Sequence, residues 1–87
     1  MEAPRKIKDV KPIYPAGALS DQARGAVVLE ATVGINGKVE DARVVRSIPQ
    51  LDQAALDAVA QWEFVPARLN GTVVAVIITV VVNFAIY

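Results

Sequence analysis

Residues 72–84 read TVVAVIITVVVNF, and this closing stretch decides the fold. Between positions 73 and 82 stand six valines and two isoleucines, interrupted only by Ala75 and Thr79. β-Branched side chains are stiff at χ1 and fit a pleated surface, so the segment predicts one long strand from Thr72 to Phe84. It carries no polar face. Both sides must therefore meet something, a helix on one and the N-terminal arm or another subunit on the other. A membrane-spanning helix needs about 20 predominantly apolar residues, and Asn83 interrupts the run before that length.

Working back from this strand, Asn70 and Gly71 predict a turn, and Phe64 and Pro66 carry the chain out of a helix. In that helix Leu51, Ala55, Val59 and Trp62 recur at helical spacing, with Ala54, Ala58 and Ala60 small enough for close approach. Pro49 and Asp52 suit its positive end. Further upstream Val27, Leu29, Ala31 and Val33 alternate with Val28, Glu30 and Thr32, the period-two pattern of a half-buried strand. Asn36 and Gly37 predict a tight turn with positive φ at both residues. A second strand follows over Lys38–Arg46, with Ala42 and Val44 toward the core and Asp41 and Arg43 toward water. The expected class is α+β: a small antiparallel three-stranded sheet, in the order strand, strand, helix, strand, with one main amphipathic helix packed on one face.

The chain before this body reads differently. Residues 1–10 are expected to be an extended basic arm or linker remnant, and residues 11–87 the domain proper. Pro12 and Pro15 push Lys11 and Tyr14 into extended geometry. Tyr14 either pins this segment to the sheet or presents its hydroxyl to a partner. Ala18, Leu19, Gln22 and Ala23 allow a short helical turn before Gly25.

Composition narrows the function. A chain of 87 residues buries only one core, and 54% hydrophobic against 21% charged residues excludes a disordered tail. Nine basic residues balance nine acidic ones, leaving no net field to draw in nucleic acid. The cluster Arg5, Lys6, Lys8 and Lys11 has no interleaved aromatics to stack on bases, so nucleic acid is not an expected partner. Histidine and cysteine are absent, which removes the commonest general base, the commonest metal ligands and every thiol nucleophile. Ser20 and Ser47 have no base to activate them. Glu40 with Asp41, and Asp52 with Asp57, point apart on a strand and on a helix. No catalytic residue, metal or cofactor is therefore expected. Trp62 and Phe64 read as core packing rather than a ligand platform. What remains is recognition through backbone: the last strand carries no lysine, proline or bulge to protect its edge, and an exposed edge accepts an extended peptide.

Pro12, Tyr14 and Pro15, then Gly25, the Asn36–Gly37 turn, Leu51 and Asp52 with Ala54, Ala55 and Leu56, Trp62, Phe64, Pro66, Gly71 and the valine-rich strand ending at Phe84 together resemble the C-terminal domain of TonB energy transducers. The likeness runs from about Lys11 to Phe84. It implies a periplasmic, non-catalytic domain, anchored to the inner membrane by a segment absent from this chain. Such a domain links inner-membrane motor proteins, driven by the proton motive force, to outer-membrane TonB-dependent transporters for siderophores, vitamin B12 or similar nutrients. The resemblance further implies that a transporter's N-terminal peptide adds beside the last strand. Val74, Val76, Ile78, Thr79 and Val80 would supply the pairing edge, and Lys11, Pro12, Tyr14 and Pro15 the flanking contacts. Gly17 and the stretch Ser20–Ala23 depart from the family's pattern before Gly25. The apolar last strand also predicts a homodimer by edge pairing or strand exchange. The competing reading is a structural or sensory module of the same fold, appended to a membrane receptor or a TolA-like envelope protein.

Overall fold

The structure, a computed structural model, describes residues 1–86. In chain order its elements are β1 (Arg5–Lys8), α1 (Ala16–Ser20), β2 (Gly25–Val33), β3 (Val39–Arg46), α2 (Asp52–Val59), β4 (Glu63–Val65), β5 (Ala67–Leu69), β6 (Thr72–Val74) and β7 (Val76–Phe84). The main sheet has the order β3-β2-β7 with antiparallel neighbours, and two short ladders, β1-β4 and β5-β6, stand beside it. The expected α+β class, three-stranded sheet and main helix are all present.

β2 is the spine because its alternation is the cleanest in the chain. Val27, Leu29, Ala31 and Val33 are buried toward α2, against Leu51, Ala55 and Val59. Each such aliphatic side chain contributes about 1.5–3 kcal/mol when fully withdrawn from water, which makes this layer the main source of stability. Val80, Val82 and Phe84 of β7 complete the core, and Trp62 and Phe64 close one end of it. Those two aromatics are packing residues, although α2 ends at Val59, so that Trp62, expected on the helix stripe, lies just beyond it and Phe64 in β4. In β3, Ala42 and Val44 pack on the core while Asp41 and Arg43 are exposed. The register slips between the pairs Leu29↔Val44 and Val28↔Arg46, leaving Val45 unpaired and exposed, which is why the sequence alternation blurs there.

Three expectations need correction. The closing strand is not continuous: it breaks at Ala75, and Val74 pairs with Ala67 in the β5-β6 hairpin instead of lying on the edge of the main sheet. Consecutive positive φ at Asn70 (52°) and Gly71 (78°) make the two-residue turn that folds β5 onto β6. At the other Asn-Gly pair only Gly37 has positive φ (81°). There the Gly34 N–H donates to the Lys38 carbonyl (2.9 Å) and the Gly37 N–H to the Gly34 carbonyl (2.9 Å), a three-residue loop closed by a left-handed glycine. The Asn36 side-chain oxygen accepts the Lys38 N–H at 3.0 Å, which holds Asn36 in the ordinary φ range.

The third correction concerns the arm. It is extended and its β1 residues are exposed, but they are paired with β4 and lie away from the outer face of the sheet. β1 pairs with β4 through Arg5↔Val65, Lys6↔Phe64 and Lys8↔Glu63, with an irregularity at Ile7. The Lys6 ammonium lies 3.8 Å from the centre of the Trp62 ring, and the Trp62 indole N–H donates to the Val10 carbonyl at 2.9 Å. The arm is thus a strap across the aromatic end of the core. It does not cover the outer face of the sheet, where Ile77 and Val81 stay 69% and 51% exposed.

Candidate functional site

A three-stranded sheet has two rims, and this one treats them differently. β3 carries exposed Glu40, Asp41, Arg43 and Arg46 and the Val45 bulge, and Lys38 at its start is bridged to Glu63. Charges and bulges are the devices that keep an edge strand from pairing with a foreign chain. β7 has neither. Its nine residues pair with β2 from Val33↔Val76 to Gly25↔Phe84 without a register shift, and none is charged or proline. Every second residue of an edge strand turns its N–H and C=O away from its partner, so β7 presents a row of open donors and acceptors.

The C-terminal half of this rim borders a cleft of about 440 Å³. Val81, Asn83 and Ala85 reach it from the outer side of the sheet, and Val82 and Phe84 from the core side. Residues of both faces share one cleft because the cleft follows the strand's rim. The arm and the aromatic end of the core form its opposite wall, from Lys6 and Asp9 through Lys11, Pro12 and Tyr14 to Trp62. Lys6 is tied to Asp9 at 2.7 Å, whereas Lys11 is exposed and in no ion pair among the described residues.

Tyr14 pins the arm. Its hydroxyl donates to the Ala23 carbonyl, and its ring stands edge-on to that of Phe84 with 5.5 Å between centroids. The hydroxyl is thereby committed within the chain, while the ring remains in the cleft wall.

The residues expected to act together are partly assembled. Lys11, Pro12 and Tyr14 line the cleft. Val76, Ile78, Thr79 and Val80 lie on the same strand, nearer its N-terminal end. Pro15 precedes α1 with extended backbone and faces the far side of the arm, toward α2. Val74 belongs to the neighbouring hairpin. Of the cleft residues, sequence reasoning found only Lys11, Pro12 and Tyr14 and missed the rest, among them Lys6, Val10, Trp62 and the end of the strand from Val81 to Ala85. Only the lone tryptophan offered a signal, since a buried indole N–H needs an acceptor and so marks a crossing of backbone. No group of three or more metal-ligating side chains occurs among the described residues, nor any helix long and apolar enough to cross a membrane.

Comparison with known proteins identifies relatives of the fold. The family described as Gram-negative bacterial TonB protein C-terminal matches residues 10–86. A protein TonB of Xanthomonas campestris pv. campestris (strain B100) is 38% identical over 77 residues, covering 86% of this chain and 34% of that protein. A protein TonB of Pseudomonas aeruginosa is 32% identical over 66 residues, 74% of this chain and 19% of that protein. The chain therefore spans about a third or less of the length of these relatives. The solution NMR structure of the Pseudomonas aeruginosa TonB C-terminal domain superposes with a TM-score of 0.76 at 28% identity, covering 95% of this chain and 86% of that one.

Proposed function

This chain belongs to the Gram-negative bacterial TonB protein C-terminal family, and from that premise we propose that it captures the N-terminal peptide of TonB-dependent outer-membrane transporters by strand addition at the free rim of β7. The observation that carries this reading is the contrast between the two rims: β3 is guarded by charge and a bulge, and β7 is bare beside a cleft.

Backbone pairing suits the work of a transducer. Each hydrogen bond contributes only about 1 kcal/mol net, but tension along paired strands loads all the rungs together, so the joint resists pulling while remaining reversible. The ladder also tolerates varied partner side chains, because main-chain groups supply most of the recognition. In the whole protein the pull originates at inner-membrane motor proteins driven by the proton motive force and reaches this periplasmic domain through an anchor and spacer. The transported nutrients are scarce ones such as siderophores or vitamin B12. The domain performs no catalysis. A homodimer formed through the same rim would compete with the peptide.

The test is a titration of the isotopically labelled chain with a transporter N-terminal peptide, read by amide resonances. Those of β7 and of the arm from Val10 to Tyr14 shift or broaden while those of β3 stay in place. Spectra unchanged at millimolar peptide would remove the proposal.

A further inference from the structure

On the other side of the arm lies a second and larger groove, about 610 Å³, between Val10–Pro15 and the exposed flank of α2. We infer that this groove holds a flanking segment of the same transporter peptide, one that has crossed the arm after leaving the rim of β7. The inference rests on the strand-addition reading and extends it to a bipartite site.

Continuity is the first argument. Val10, Lys11 and Pro12 line both the rim cleft and the groove, so a single run of arm residues separates them. A peptide following the rim past Asn83 and Ala85 meets this ridge, and the groove opens directly behind it.

Chemistry identifies the segment. The floor is apolar, built from Pro12 and Pro15 against Ala54 and Ala58 of α2, with Ile13 at its mouth. Ile13 is 85% exposed between its two prolines, the most exposed large apolar side chain of the described residues and unused by the core. The rim of the groove carries Gln50, Gln53, Gln61 and Asp57. Their amide nitrogens already donate within the chain, Gln50 to Asp21 (2.7 Å), Gln53 to the Asp57 carboxylate (2.8 Å) and Gln61 to the Asp57 carbonyl (3.0 Å). Each amide thus spends one N–H and keeps a second N–H and a carbonyl, and with the Asp57 carboxylate and the exposed Lys11 ammonium the rim both accepts and donates hydrogen bonds. Such a groove fits an extended segment with an aliphatic or proline side chain for the floor and polar side chains or open main-chain groups for the rim.

The test compares two peptides from one transporter N-terminus. The short one has about eight residues, enough at ~3.3 Å per residue to match β7, and the long one adds its natural flanks. Binding to the full chain is measured for the unaltered protein and for the exposed variants Ile13→Ser and Asp57→Lys. The long peptide should bind more tightly than the short one and shift the amides of Gln53, Asp57 and Gln61. Each variant should weaken the long peptide by about tenfold, as removal of a well-seated anchor does, and leave the short one unchanged. If both peptides perturb β7 equally and the variants affect neither, the inference fails while strand addition stands. If neither peptide perturbs β7, both fail. If the chain alone sediments as a dimer that Ile13→Ser dissociates, the groove belongs to a second copy and the inference is overturned.

Discussion

The rings of Tyr14 and Phe84 meet edge-on at an interplanar angle of 86°, which fastens the end of the arm to the last residue of β7. The Tyr14 hydroxyl ties the same point to Ala23, ahead of β2. Ring and hydroxyl are separable contributions. Tyr14→Phe keeps the ring contact and should cost about 1 kcal/mol, the net worth of one hydrogen bond. Tyr14→Ala removes both and should cost about 2–4 kcal/mol, less than for a fully buried aromatic because Tyr14 is half-buried. Urea unfolding of the two variants measures the difference; an alanine variant as stable as the parent would show that the arm is not pinned there.

The rim of β7 carries a finer expectation. The Gly34 N–H donates to the Lys38 carbonyl and the Gly34 carbonyl accepts the Gly37 N–H, so the backbone groups of Gly34, and by alternation those of Thr32 and Glu30, face β3. Those of Val33, Ala31 and Leu29 then face β7 and pair with Val76, Ile78 and Val80, which leaves the backbone groups of Ile77, Thr79 and Val81 on the open side. Hydrogen exchange should therefore alternate along the strand, fast at Ile77 and Thr79 and slow at Ile78 and Val80. Bound peptide should slow the first set and leave the second unchanged. Uniform protection of β7 in the free chain would mean its rim is already occupied.

How much of this was legible in the sequence depends on how local each feature is. β2 announced itself because Leu29 to Val33 alternate strictly, with only Val28 apolar on the other face, and α2 because Leu51, Ala55 and Val59 keep helical spacing. The bare rim was legible as an absence of charge in β7. The β5-β6 hairpin was not, since Ala67–Leu69 and Thr72–Val74 are too short to show a period, and the valines on either side of Ala75 merge into one run. β1 was hidden because its exposed basic residues look solvated, and only its pairing with β4 makes it a strand. The cleft was least visible of all: Tyr14 and Phe84 come from opposite ends of the chain, and no local pattern records that they touch.

Two glycines with nearly the same φ separate conformational strain from crowding. Gly37 (81°) and Gly71 (78°) both sit in the left-handed region, where a Cβ costs about 1–2 kcal/mol. At Gly71 a Cβ meets open space. At Gly37 it would overlap the Phe64 carbonyl oxygen, in the place where the Phe64 N–H donates to the Gly37 carbonyl at 2.8 Å. Gly71→Ala should therefore lose about 1 kcal/mol. Gly37→Ala should lose clearly more, because β4 has to move away from the hairpin. Thermal unfolding ranks the pair, and equal losses would mean that β4 is not held against Gly37.

Asp52 supplies a contact on which the placement of α2 depends. One of its carboxylate oxygens accepts the Ile48 N–H at 2.9 Å and the other accepts the Ser47 hydroxyl, so the first residue of the helix grips the chain that leads out of β3. Its charge also stands at the positive end of α2. Asp52→Ala should cost about 1–2 kcal/mol, in the range of a lost helix cap. Asp52→Asn should cost less, since an amide oxygen still accepts the Ile48 N–H. Ser47→Ala and Asp52→Ala should be non-additive, because each removes the bond they share. A double-mutant cycle by urea unfolding measures that coupling: simple addition of the two losses would show that the Ser47 hydroxyl does not bind Asp52 in solution, and a silent Asp52→Ala that the loop positions α2 without it.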